Sequence, residues 1–378
     1  SLGLSSVDDL QYYFVKHFDT YLRERGKTVI GWDEILDGSA VPSTVVMSYR
    51  GHAPASKAFE KDMKVILAPN RWCYYDYDQE EIKDIVKYAA ERYIEVIPEI
   101  DMPGHMVATL ASYPHLGCRD EKFEVRTRWG ISKDVLCVGK ESTFEFVEGV
   151  LDEVFSLFPS KYIHLGGDEC PRLRWKECPH CQKRIQEEGL KNEDELQSYF
   201  MHRVEKMLTK HNRKMIGWDE IIYGGINKSA TIMLWNDSQR QKATTLGNDV
   251  ILTPKYYCYM DYYQTKRPLS NKEGLMFKER ILTLRKAYSL NPYEGLQPSE
   301  YGRIRGVQTN LWTEYIADFE RVQIKTLPRL AATAEAGWTI GEKNFDDFAR
   351  RLEHLRRLYD KNGIRYATYF FDGVDEIE

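Results

Sequence analysis

The sequence predicts an α/β fold of the (β/α)8, TIM-barrel-like kind, and three observations predict it. Short β-rich apolar runs alternate with amphipathic helical stretches, the pattern of parallel βα units. No G-x-G-x-x-G string accompanies those runs, which favours a barrel over a dinucleotide-binding sheet. The runs after residue 93 each end in an acid, a His, a Tyr or a Trp. A barrel gathers its chemistry at that end of its strands.

The elements follow in order. Candidate strands are Thr28–Ile30, Thr44–Met47, Lys64–Leu67, Tyr93–Pro98, Tyr162–Leu165, Lys214–Ile216, Ala230–Leu234, Asp249–Leu252 and Gly306–Leu311. Between them lie helices. Ile82, Ile85, Val86, Ala89 and Ala90 recur at the spacing of one helix face, and so do Phe144, Val147, Leu151, Val154 and Phe158. The candidates number one more than an eight-stranded barrel holds, so one of them is outside the barrel or is not a strand.

The chain also repeats itself. Gly3-Leu4, Asp9-Leu10-Gln11, Tyr13-Phe14, Gly31-Trp-Asp-Glu-Ile35 and Val65-Ile-Leu67 return as Gly189-Leu190, Glu195-Leu196-Gln197, Tyr199-Phe200, Gly217-Trp-Asp-Glu-Ile221 and Val250-Ile-Leu252. Cys73-Tyr-Tyr-Asp-Tyr77 returns as Cys258-Tyr-Met-Asp-Tyr262. So long a period is not that of a solenoid but of a duplication of about three βα units. Residues 1–78 are therefore read as a copy of about 187–263 that fills the first barrel positions. Residues 79–378 are read as the remainder of the barrel.

Composition narrows the function. The 378 residues suffice for a large core, and aromatics make up 13 %, with 25 Tyr and 8 Trp. Flat rings with a polar handle suit the apolar faces of sugars, and they suit a large core almost as well. A net charge of −5 and no basic cluster disfavour nucleic acid. No apolar run reaches the length of a membrane span. The chain begins at Ser1 without Met or a signal-peptide pattern, which reads as a trimmed chain. Of the seven cysteines, Cys178-Pro-His-Cys181 has the spacing of zinc and redox sites, with Cys170 weighed as a third ligand. A second C-x-x-C and the length of a zinc ribbon are missing, so ordinary thiols or one local disulfide is the expectation.

The chemistry concentrates in Lys161-Tyr-Ile-His-Leu-Gly-Gly-Asp-Glu-Cys170, an apolar strand, two glycines and adjacent acids. Neighbouring side chains of a strand face opposite ways, so Asp168 and Glu169 share a site only if the chain turns there. Gly166 and Gly167 permit the turn. A helix start capped by Asp168, with Glu169 in the first turn, is the alternative. Other strand ends tilt the balance: Glu99-Ile-Asp-Met-Pro-Gly-His105, Gly217-Trp-Asp-Glu-Ile221, Met233-Leu-Trp-Asn236, Tyr256-Tyr-Cys-Tyr-Met-Asp-Tyr262 and Asn310-Leu-Trp-Thr-Glu314. Three Trp at equivalent strand ends read as the walls of one pocket.

This ordered series resembles the family 20 glycoside hydrolases, the β-N-acetylhexosaminidases, over about residues 79–365. Leu327-Pro-Arg-Leu-Ala331 through Ala336-Gly-Trp338 fits as well. The resemblance implies removal of terminal β-linked GlcNAc or GalNAc from glycans with retention of configuration. It implies Glu169 as the general acid, a role that an adjacent carboxylate and partial burial favour. Asp168 orients the substrate's 2-acetamido group, whose own oxygen attacks the anomeric carbon. Tyr259 hydrogen-bonds that oxygen, and Trp218, Trp235 and Trp312 enclose the sugar. Asp261 and Glu314 accept its outer hydroxyls, while Asp101 and His105 support Glu169. Neither cofactor nor metal is implied, and the family's usual setting is periplasmic or secreted.

The front of the chain departs from the family. The first-strand Arg that grips sugar hydroxyls is not recognisable, nor is the second strand's His and acid cluster. The duplicate stands in their place with Trp32, Tyr74 and Asp76, and with Tyr49-Arg50, where Arg50 is the candidate substitute for the clamp. A catalytically impaired glycan-binding barrel is thus the alternative function. A metal-dependent hydrolase using Asp101, His105 and Asp168 is disfavoured, because no H-x-H or H-E-x-x-H spacing supports it.

Overall fold

The computed structural model describes residues 6–37, 41–50, 52–67, 80–265, 280–339 and 341–374. Cys73, Tyr74, Asp76 and the expected boundary at 78/79 lie outside the described residues. The chain divides into two compact units, Ser1–Tyr88 and Ala89–Glu378.

The first unit is a three-stranded parallel sheet in the order β1 (Ile30–Trp32), β2 (Val45–Ser48) and β3 (Lys64–Leu67). Helix Val7–Arg23 precedes it, with the Ser6 hydroxyl accepting from Asp9 N–H at 3.0 Å. Helix His52–Glu60 connects β2 to β3. The core is small: Leu36, Val46, Ala58 and Met63 are buried against one another.

The second unit carries β4 (Tyr162–His164), β5 (Lys214–Trp218), β6 (Thr231–Leu234), β7 (Asp249–Leu252) and β8 (Ile304–Val307), all parallel and paired in sequence order. All four residues of β6 are buried, as befits a parallel strand covered on both faces. Helix Glu141–Leu157 buries Phe144, Val147, Leu151 and Val154, the stripe its spacing predicts, and ends just before Phe158. Helix Glu193–Lys210 is capped by Asn192, whose side-chain oxygen accepts from Asp194 and Glu195 N–H at 3.0 Å each. Among the described residues, no helix is long and apolar enough to cross a membrane.

Eight strands form among the described residues, not nine. Tyr93–Pro98 is the candidate that fails. Its residues stay largely exposed, and Tyr93 turns the chain with a φ of 58°. Pairing to β4 begins only where the candidate ends. Pro98 O accepts from His164 N–H, and Glu99 forms an isolated parallel bridge with His164. Most boundaries move by a residue or two; the larger shifts are β1, which runs Ile30–Trp32 rather than Thr28–Ile30, and β8, which starts at Ile304, paired with Val250 of β7.

The shared Gly-Trp-Asp-Glu-Ile strings take the same local form. After β5, Asp219 Oδ2 accepts the backbone N–H of Asn236, just past β6, at 2.7 Å, and Glu220 accepts the Trp235 indole N–H at 2.8 Å. After β1, Asp33 Oδ2 accepts the N–H groups of Tyr49 and Arg50 at 3.0 Å each, and Glu34 accepts the Tyr49 hydroxyl. Arg50, the candidate sugar clamp, is engaged elsewhere. Its Nε donates to Asp33 at 2.7 Å, and its two terminal nitrogens hold Asp37 at 3.0 Å each. A guanidinium aligned on two carboxylates of its own unit is poorly suited to grip a ligand.

Candidate active site

β4 runs into Leu165-Gly-Gly-Asp-Glu169, and the chain turns at the glycines, with φ of 66° at Gly166 and 92° at Gly167. A Cβ at Gly166 would lie 1.7 Å from Asp101 Oδ1, so a side chain is excluded there. Gly167 N–H donates to the same oxygen at 3.1 Å, and the buried Gln197 amide donates to Gly167 O at 2.6 Å. The turn is thus held from Asp101 on one side and helix Glu193–Lys210 on the other. The helix-cap alternative is overturned: the next helix starts only at Leu173, with Arg172 in the cap position.

Asp168 and Glu169 both face His105. Its Nε2 lies 3.6 Å from Asp168 Oδ2, 3.5 Å from Glu169 Oε2 and 3.9 Å from Asp101 Oδ2. Asp168, then Glu169, push the His105 pKa up to about 10, so the ring is an imidazolium near neutral pH. Burial, then the charge of Asp168, pushes the Asp101 carboxyl up to about 8. His105 and Glu169 adopt φ of 54° and 44°. Non-glycine residues held there carry about 1–3 kcal/mol of strain each, and such positions cluster at functional sites. Asp101, His105 and Asp168 also offer three ligand atoms within 4.8 Å of one another.

Aromatic rings continue from the carboxylates. His164 and Trp218 pack edge to face at 4.9 Å, Trp218 meets Trp312 at 6.0 Å, and Trp312 meets Tyr259 at 6.0 Å. Trp218 is buried and Trp312 half-exposed, so the chain of rings runs from core to solvent. Backbone bonds between Asn310 and the Cys258–Met260 segment fix Tyr259, and burial raises its hydroxyl pKa. Asp261 is buried, which pushes its carboxyl up to about 6; the charge of exposed Glu314 acts in the same direction. Trp235 is tied to the group through Glu220, whose pKa is raised first by burial and also by the charge of Asp168.

Three contributors, Glu99, His164 and Glu220, escaped the sequence reading of the site. Glu99 Oε1 accepts the Trp218 indole N–H at 2.9 Å and lies 3.2 Å from His164 Nδ1. Burial raises the Glu99 pKa, but His164 and Trp218 outweigh it and leave the carboxyl below its usual range. Glu220 anchors Trp235. Position is the signal in the sequence: Glu99 and Glu220 sit in the same strand-end acid strings as Asp101 and Trp218.

The parts define a class: a parallel α/β scaffold whose strand ends gather adjacent carboxylates, an imidazolium and a wall of aromatic rings. The sequence model of "Glycosyl hydrolase family 20, catalytic domain" matches residues 1–81 and 76–340. A beta-hexosaminidase of Porphyromonas gingivalis is 46 % identical over 297 residues, spanning 77 % of this chain and 37 % of that protein. One of Akkermansia muciniphila is 34 % identical over 288 residues, spanning 75 % and 57 %. A beta-N-acetylhexosaminidase crystal structure from Bacteroides fragilis superposes with a TM-score of 0.66 at 34 % identity, covering 77 % of this chain and 58 % of that one. A Vibrio harveyi exo beta-N-acetylglucosaminidase, solved in complex with N-acetylglucosamine, gives a TM-score of 0.69 at 34 % identity over 77 % and 46 %. The chain belongs to glycosyl hydrolase family 20, and its fold is the α/β, TIM-barrel-like one of that family. It spans less than two thirds of the length of these relatives.

Proposed function

We propose that this protein hydrolyses terminal, non-reducing β-linked N-acetylhexosamine from glycans by a retaining, substrate-assisted mechanism. One observation carries the reading furthest. Asp168 Oδ1 and Asp261 Oδ1 are buried without a hydrogen-bond partner among the described residues. A buried acceptor left unpaired costs about 1–3 kcal/mol, which a ligand's donors would recover. Asp168 would accept the acetamido N–H and Asp261 a sugar hydroxyl.

In this mechanism the acetamido oxygen attacks the anomeric carbon as Glu169 passes its proton to the leaving glycosidic oxygen. Asp168 steadies the positive charge that develops on the acetamido nitrogen, and Tyr259 donates to the attacking oxygen. The resulting oxazolinium is opened by water, whose proton returns to Glu169. Two inversions give net retention. His105 offsets the carboxylate charges from the side, and Trp218, Trp235 and Trp312 wall the sugar. Residues 1–78 are proposed to supply the first barrel positions. The internal repeat supports this.

The test is hydrolysis of p-nitrophenyl β-N-acetylglucosaminide and its galactosaminide counterpart by the purified chain and its Glu169→Gln variant. Turnover abolished by the substitution supports the reading. A folded wild-type protein that binds N-acetylglucosamine without turning over either substrate sinks it in favour of a glycan-binding barrel.

A further inference from the structure

The four cysteines Cys118, Cys137, Cys178 and Cys181 are brought together from separate stretches of the sequence. Their sulfurs all lie within 4.8 Å of one another, and none is in a disulfide. Cys137 Sγ is 3.6 Å from Cys178 Sγ and 3.6 Å from Cys181 Sγ, and Cys118 Sγ is 3.8 Å from Cys181 Sγ. Four thiolates around one tetrahedral zinc, each at about 2.3 Å, stand about 3.8 Å apart. Of the two expectations, ordinary thiols or one local disulfide, the cysteines are free thiols, and Cys170, the residue weighed as a third ligand, is not in the group. The companions of Cys178 and Cys181 are Cys118 and Cys137.

We infer that these residues form a structural four-cysteine site for one Zn²⁺, separate from the carbohydrate site. Two backbone segments and one helix start are shaped for it. Gly117 and Leu136 form an antiparallel bridge, and Cys137 N–H donates to Leu116 O at 2.8 Å, which sets Cys118 and Cys137 side by side. Cys178 precedes helix Pro179–Glu187 and Cys181 sits in its first turn. Gly139 lies against that turn so closely that a Cβ there would stand 2.2 Å from the His180 carbonyl carbon. Cys137, Cys178 and Cys181 are buried beside Leu116, Leu136, Val138 and Trp175, and a closed shell of this kind marks a structural site.

The charge is arranged to match. Binding converts Zn²⁺ and four thiols into a dianionic zinc–tetrathiolate unit and releases four protons. Lys140 Nζ donates to His115 O and Gly117 O at 2.8 Å each, which sets one cation beside the cysteine-bearing segments; Arg184, which reaches Gly139 O at 3.4 Å, is itself paired with Glu141 and Glu188. Outer groups of this kind orient ligands and offset their charge. The metal would join the 116–140 segment to the helices that follow Glu169. Leu136 N–H already donates to Pro103 O, beside the loop that carries His105.

The experiment uses the whole chain, expressed in zinc-supplemented medium and dialysed against EDTA. Inductively coupled plasma mass spectrometry should find about one zinc per chain. An organomercurial should release it stoichiometrically, as read by a zinc-binding dye. Cys181→Ser should lose the metal, and Cys170→Ser should keep it. Zinc below about a tenth per chain in the folded wild-type protein overturns the inference, whether the four cysteines then react as free thiols or prove disulfide-bonded by mass spectrometry. Iron in place of zinc overturns it as well. If Cys181→Ser fails to fold, the wild-type metal content and the Cys170→Ser control still decide.

Discussion

Trp218 donates its indole N–H to Glu99 Oε1 at 2.9 Å, so the ring at the floor of the aromatic wall is aimed by a carboxylate distant in sequence. His164 lies on the same oxygen at 3.2 Å. A hydrogen bond to a charged group contributes about 1.5–3 kcal/mol. Glu99→Gln should therefore lower kcat/KM about tenfold to a hundredfold, chiefly through KM, because the wall shifts while Glu169 stays in place. Steady-state kinetics on the chromogenic substrate check this; an unchanged KM would remove Glu99 from the site.

The pH dependence of stability follows from His105 and Asp101. His105 is raised from 6.5 to about 10 in the folded chain. The folded state thus holds a proton that the unfolded chain releases above 6.5, and stability falls as pH rises from there to about 10. Asp101, raised from 3.8 to about 8, retains its proton on folding too and lowers stability over its own interval. Melting temperature should decline between about pH 6.5 and 10. His105→Gln should flatten the part between about 8 and 10, which differential scanning fluorimetry of both proteins reads directly.

Gly166→Ala places a methyl where Asp101 Oδ1 now sits, at a φ of 66° that L-residues rarely adopt. The Asp168–Glu169 turn must then move. A displacement near 1 Å costs about a hundredfold in rate when reacting groups are otherwise aligned. The variant should keep its far-ultraviolet dichroism and lose at least that much kcat. Wild-type turnover would show that the turn tolerates displacement.

Gln197→Leu removes the amide that holds Gly167 O from the helix side. A buried carbonyl left unpaired costs about 1–3 kcal/mol. Urea unfolding should register that loss, together with a fall in kcat larger than in Glu195→Gln, which lies on the same helix away from the contact.

Arg50→Ala should destabilise the first unit by about 1–3 kcal/mol by leaving the buried Asp33 carboxylate with fewer donors. KM for the chromogenic sugar should not move. A severalfold rise in KM without loss of stability would restore Arg50 as the sugar clamp.

The sequence made the Asp168–Glu169 pair legible because strand, double glycine and acids are contiguous, so local rules suffice. It made His105 and the three Trp legible because each ends its own strand or strand-like run. His164 was hidden by its dependence on pairing across more than sixty residues, at a bridge that forms just past Tyr93–Pro98, whereas Glu99 showed its position in a strand-end acid string but not its partner Trp218. That segment misled for the same reason, since apolar residues show a tendency to burial but not a partner. The four-cysteine cluster needed Cys118 and Cys137 to be brought beside a C-x-x-C, which spacing alone does not reveal.

The strand-end acids Asp33 and Asp219 have a consequence for how such chains can be assembled. Asp33 accepts the N–H groups of Tyr49 and Arg50 and Asp219 that of Asn236, each just past or at the end of the neighbouring strand, so in both places a strand–acid–strand unit closes its own polar end. It is a self-finishing brick. The double-glycine turn is not, because its geometry depends on Asp101 and Gln197 from elsewhere in the chain. The part that closes on itself is scaffold. The turn proposed to carry Asp168 and Glu169 into the reaction stays with the surroundings that shape it.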